Sequence, residues 1–281
     1  MAEHGDHAQH HAQHHAQHHA QHHAQHHAQH QCPHGHPHGS LNPFGSSQVY
    51  QDQHNFKEFN KNYFDEHGHR YNDHPNAHEL ARRLGEAMIN AYPFEEDSTL
   101  VLDYACGTGL ISKKLAAHAK CIVGVDISQS MVDQYNQSVL NQGIPPEEMR
   151  AVCCDLTAAP NQLDGMKFDV VVCASSYHHF ASIEDVTKAL ASYLKPGGSL
   201  LVADLMKPSE SSAESARALF PTGAHDIVAH KSGFEEADIK TVFEGVGLIN
   251  FSFVTACKAM KHEHPVQFFL ASGTKEVTEE A

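Results

Sequence analysis

Residues Leu100–Leu110 read Leu-Val-Leu-Asp-Tyr-Ala-Cys-Gly-Thr-Gly-Leu. An apolar run ends in the acid Asp103. A turn of small residues follows from Ala105 to Gly109, and helical periodicity opens at Leu110. Strand, glycine-rich turn and helix start, in that order, bring a nucleotide-like ligand against bare backbone and the N-terminus of a helix. The spacing narrows the choice of ligand. A dinucleotide fingerprint places a third glycine three positions after the second, and here that position is Ser112.

Outward from this turn, strands and helices alternate. Apolar runs predict strands over 99–104, 121–126, 150–154, 168–174, 198–204, 249–257 and 265–271. Helical spacing predicts helices over 78–92, 109–119, 128–142, 181–193 and 234–246. The first five strands are continuously apolar, as expected for a parallel sheet covered on both faces. The last two are separated by Lys258–His264 alone, short enough for an antiparallel hairpin. The expected fold is α/β: a doubly wound, Rossmann-like, mostly parallel sheet of seven strands with an antiparallel terminal hairpin. Ligands in such sheets bind at the carboxyl ends of the strands, beside the topological switch point.

Further motifs fall at those ends. The second strand closes on Asp126, 19 residues beyond Gly107; the third runs into Asp155-Leu156. The fourth leads through Ala174 into Ser-Ser-Tyr177-His178-His179-Phe, and Lys195-Pro-Gly-Gly precedes the fifth. Together with Asp-x-x-Cys-Gly-Thr-Gly, these motifs over residues 100–204 resemble the class I S-adenosylmethionine (SAM) methyltransferases. The likeness covers about 95–273. Within that superfamily the chain is similar to the small-molecule enzymes related to ubiquinone and menaquinone C-methyltransferases. The resemblance implies SAM as cofactor. It places the methionine end of SAM near Asp103, Ala105, Cys106, Gly107 and Gly109, and the adenine between Ile127 and Met131 and against Asp155 and Leu156. The sulfonium then lies by the end of the fourth strand at Ala174. Asp126 at its spacing suits the ribose hydroxyls, or caps the helix beginning near Ser128.

Methyl transfer needs a base when the acceptor must lose a proton. His178 and His179 are the candidates, with Tyr177 as a group that orients substrate; ordering of this loop by the histidine pair is the alternative. Residues 205–233, with Met206, Phe220, His225 and His230, are expected to shape an acceptor pocket. The expected acceptor is a small organic molecule. A protein methyltransferase, and a catalytically silent SAM-fold partner subunit with a metal-binding tail, are the competing readings.

Composition bounds the rest. The 281 residues carry a net charge of −15, unsuited to gripping nucleic-acid phosphates. No apolar run reaches the length of a membrane span. A secretory signal is not expected, and seven scattered cysteines without a CxxC pair point to reduced thiols in a cytoplasmic or nuclear protein. Sixteen of the 28 histidines lie in residues 1–40, where 7–30 are six copies of His-Ala-Gln-His. This low-complexity tail is expected to be disordered. Cys32, His34, His36 and His38 form its densest mixed-ligand cluster, fit for adventitious metal binding. The expected organisation is a tail (1–40), a linker and aromatic-rich helical lid (41–94) and the methyltransferase domain (95–281). Along 55–71 the lid's aromatics Phe56, Phe59, Tyr63, Phe64 and Tyr71 recur at helical spacing, for a helix packed on the core, a cover over the cofactor, or both.

Overall fold

The five apolar segments pair side by side. They are β1 (Leu100–Tyr104), β2 (Cys121–Asp126), β3 (Met149–Cys153), β4 (Phe168–Ala174) and β5 (Leu194–Leu205). Among them β1, β2 and β4 are buried on both faces. In this computed structural model residues 55–73, 75–156, 162–208, 220, 224, 226–261 and 264–277 are described. The histidine-rich tail with Cys32, His34, His36 and His38, residues 41–54 of the linker, and His225 lie outside the described residues. β6 (Leu248–Lys261) and β7 (His264–Lys275) complete a seven-stranded sheet of order β3-β2-β1-β4-β5-β7-β6, in which β7 is antiparallel to both neighbours.

Alternate residues of each central strand feed two cores. Leu102, Val123 and Val171 face α5 (Ile183–Ser192) and α6 (Glu236–Gly245). Val101, Ile122 and Val170 face α2 (Pro75–Ala91), α3 (Leu110–Leu115) and α4 (Gln129–Asn141). β1 pairs in parallel with β2 on one side and β4 on the other, so the strand order reverses at β1/β4 and opens a crevice at their carboxyl ends. Two non-glycine residues there, Ala105 and Ser175, hold φ of 53° and 54°. Such left-handed backbone costs about 1–2 kcal/mol per residue, and it marks the crevice as the strained part of the fold.

The larger departures from the expected bounds fall in α3, in β5 and in the β6–β7 hairpin. α3 stops at Leu115 and finishes as a 3-10 turn, Ala116–His118. β5 begins at Leu194 rather than 198: Lys195-Pro196-Gly197-Gly198 is a bulge inside the strand, between the pairs Phe168↔Leu194 and Val170↔Ser199. The Lys195 ammonium anchors that bulge on Asp169 of β4 at 2.8 Å. The expected turn Lys258–His264 is mostly strand, because the hairpin pairs out to Lys261↔His264.

The segment ahead of β1 contains α1 (Phe56–His67), a 3-10 turn (Gly68–Asp73) and α2. α1 does not pack an aromatic face on the core. Its buried residue is Asn60, while Phe59 and Tyr63 are exposed.

Candidate active site

The crevice holds a cavity of 1720 Å³. Its floor is the turn after β1. Asp103 is buried, and the Ser112 hydroxyl of α3 donates to its Oδ2 at 2.6 Å. Burial pushes the Asp103 carboxyl up to about 7, against that hydrogen bond. Gly107 has φ +52°, and a Cβ built there meets nothing within 4 Å. The position is therefore left open towards the cavity, which Gly107 lines. Gly109 serves packing instead: with φ +81°, its Cβ would lie 2.5 Å from the Tyr135 ring.

At the end of β2, Asp126 accepts the backbone N–H groups of Gly107 and Ser128, each at 2.9 Å. One carboxylate thus ties the floor turn to the start of α4. Burial raises its pKa and these N–H donors oppose the rise. Each oxygen retains a further lone pair. Ser128 itself is the N-cap of α4, so capping does not exhaust Asp126.

α1 and the 3-10 turn after it are tied to this floor by polar contacts. Asp65 of α1 accepts from the Ser128 hydroxyl at 2.7 Å and the Ser130 N–H at 3.3 Å, placing an acid at the N-terminus of α4. The Thr108 hydroxyl donates to Asn72 at 2.6 Å. Lys57 pairs with Asp155 at 2.9 Å.

Across the cavity, the loop after β4 carries the histidines. His178 is buried, and its Nδ1–H donates to Asp204 at 2.8 Å; the His178 backbone N–H reaches the same carboxylate at 3.2 Å. Asp204 ends β5 with no exposure. Burial alone would raise its pKa, but His178 and the N–H of Leu205 hold it below the ordinary value. His179 differs. Its Nδ1–H donates to the Ile227 carbonyl at 2.6 Å, and burial, with His178 beside it, pushes its pKa down to about 3. It stays neutral and a weak base.

Comparisons agree with this geometry. Residues 101–198 match a family model described as a methyltransferase domain. An uncharacterised methyltransferase of Schizosaccharomyces pombe is 38% identical over 167 residues, 57% of this chain and 56% of its own. A ubiquinone biosynthesis O-methyltransferase of Coxiella burnetii is 30% identical over 132 residues, 45% of this chain and 54% of its own. Among solved structures, magnesium protoporphyrin IX methyltransferase from Synechocystis, with SAH bound, superposes with TM-score 0.56 at 18% identity, covering 79% of this chain and all of that one.

Over residues 101–198 the chain is similar to methyltransferase domains.

The chain spans about half the length of the curated relatives it matches. Of the residues singled out from the sequence, the structure gathers Asp103, Ala105, Cys106, Gly107, Asp126, Ile127, Met131, Asp155, Leu156, Ala174, His178 and His179 around one cavity. Tyr177 is a correction. It has no exposure, its hydroxyl bonds Thr187 of α5 at 2.9 Å, and it packs in the core away from the cavity. His230 does not line the cavity either: its Nε2–H donates to the Phe180 carbonyl and its backbone N–H to that of His178, clamping the histidine loop.

Several residues escaped the sequence reading. Asp204 had a signal, an acid closing the apolar run Leu200–Ala203, the same grammar as Asp103 and Asp126. Ser112 was read as a missing glycine, whereas it positions Asp103. Asn60, Asp65 and Asn72 had none, because their partners lie far along the chain.

Proposed function

We propose that the protein transfers a methyl group from SAM to a small organic acceptor, with His178 as the general base and Asp204 as its positioning residue. The observation that carries this is one cavity lined by the strand-end acids Asp103, Asp126 and Asp155 and by His178, with Asp204 buried behind His178. Its volume exceeds the roughly 300–1,000 Å³ of a site for one drug-sized ligand, leaving room for cofactor and acceptor together.

The residues present fit SAM. The open face of Gly107 admits a ligand against bare backbone. The free lone pairs on Asp126 suit a vicinal diol. The Ser175 Oγ and Asn60 Oδ1, both on cavity-lining residues, are buried without a partner, as expected where a ligand completes the hydrogen bonding. Asp103 and Gly107 would hold the methionine end, Asp126 the ribose, and Ile127, Met131, Asp155 and Leu156 the adenine.

Bound SAM supplies an electrophilic methyl group on a sulfonium. The protein's own work is alignment, exclusion of water and proton transfer. With Nδ1–H committed to Asp204, the His178 Nε2 lone pair takes the proton from the acceptor's attacking atom as the new bond to carbon forms. Asp204 stabilises the imidazolium that results.

Incubating the protein with methyl-labelled SAM and a cell extract, then separating macromolecules from small molecules, tests this reading. Label is expected in the small-molecule fraction and lost with His178→Gln. Label in the protein fraction would favour a protein methyltransferase instead.

A further inference from the structure

The wall of the cavity opposite the floor contains a cation with no acidic partner among the described residues. The β6–β7 hairpin continues for four residue pairs past the level of Leu205↔Phe268, out to Lys261↔His264. That is about 13 Å of two-stranded ribbon, standing beyond the carboxyl end of β5. Lys261 at its tip lines the cavity. Its ammonium sits 4.0 Å from the centre of the Phe220 ring, and that ring lies 4.9 Å from the ring of His178. Lys261, Phe220 and the proposed base therefore form one continuous row.

Of the other cavity-lining cations, Lys57 pairs with Asp155 and Arg83 with Glu79, while Arg70, Lys188 and Lys258 are exposed to solvent, unlike the half-buried Lys261. Among the described residues Lys261 forms no ion pair. The carboxylate that acts on it at longer range, Asp204, has both oxygens engaged by His178 and Leu205. Burial lowers the Lys261 pKa, the mark of a cation poorly served by solvent. The face of Phe220 holds the ammonium in place but supplies no charge. A partly buried ammonium without a counter-ion is unfavourable, and an anion entering the cavity would relieve it.

We infer that Lys261 is the anion-binding group of the acceptor subsite, and that the acceptor is an apolar organic acid. Its carboxylate pairs with Lys261 and its body packs on Phe220, Val228, Val266 and Phe268, all of which line the cavity. Its nucleophilic atom faces His178. The inference rests on the methyltransferase reading above and adds to it the charge of the substrate and the residue that selects it.

The test uses the full chain saturated with S-adenosylhomocysteine (SAH). 3-Phenylpropionate and its neutral amide, 3-phenylpropanamide, are titrated into wild type, Lys261→Met and Lys261→Arg. The wild type is expected to bind the acid about tenfold more tightly than the amide. Lys261→Met should erase that preference, Lys261→Arg should keep most of it, and SAH affinity should be the same in all three. Equal binding of the two probes to wild type, no binding of either at millimolar concentration, or an undiminished preference in Lys261→Met would overturn the inference. Absence of SAH binding to wild type would instead sink the underlying methyltransferase reading.

Discussion

At the scale of single residues, the site is built from carboxylates kept in unlike states by their surroundings. Asp103 and Asp204 are both buried, yet the first is pushed up to about 7 and the second held low. The difference is the partner: a neutral serine hydroxyl for Asp103, an imidazole for Asp204. A carboxyl whose folded pKa lies above its unfolded value stabilises the fold fully below the unfolded pKa and loses that contribution as pH rises through the folded one. For Asp103 the window runs from about 4 to about 7. Asp103→Asn should therefore gain stability over wild type at pH 8, by up to about 4 kcal/mol, with little difference at pH 4. It should also lose SAM affinity. Urea unfolding at both pH values checks the first expectation, and equal stability at pH 8 would refute it. His178→Gln and Asp204→Asn should each lower turnover on the order of 100-fold or more while SAH binding stays unchanged. Loss of SAH binding in either variant would mean that the pair shapes the cofactor site rather than the chemistry.

At the scale of elements, the turn after β1 does two jobs with two glycines. Gly109→Ala drives a methyl group into Tyr135 and keeps an unfavourable φ, for an expected loss of about 2–4 kcal/mol of stability. Gly107→Ala meets no protein atom, so it should cost about 1 kcal/mol of backbone strain yet abolish SAH binding. Denaturation and calorimetry on the two variants would separate these roles; a Gly107→Ala protein that binds SAH normally would remove the turn from the site. The same turn shows why much of the fold was legible. Asp103, Gly107, Asp126 and Asp155 stand at strand ends, and buried parallel strands announce themselves as continuous apolar runs. The β6–β7 hairpin was less legible: Lys258–His264 reads as a polar turn, and cross-strand pairing of Lys258 with Gln267 through Lys261 with His264 overrides that local preference.

At the scale of the whole molecule, one half of the site is written locally and the other is assembled by topology. The cofactor half follows motifs in chain order from residue 100 to 156. The proposed acceptor half draws on Asn60, His178, Phe220 and Lys261, which line one cavity, and on Asp204 behind His178; they meet because β5 and β7 pair antiparallel and α1 docks on the start of α4. No periodicity or motif encodes such meetings, so Asp204 shows in the sequence only as a strand-end acid and not as the partner of His178. The central claim concerns the whole cavity, and calorimetry of the full chain, stripped of metal, with SAM and SAH tests it most directly. Micromolar binding is predicted for wild type, weakened more than about tenfold in Asp126→Ala by loss of one buried hydrogen-bonded carboxylate. Absence of binding to the folded wild type, or equal affinity in the variant, would contradict the account.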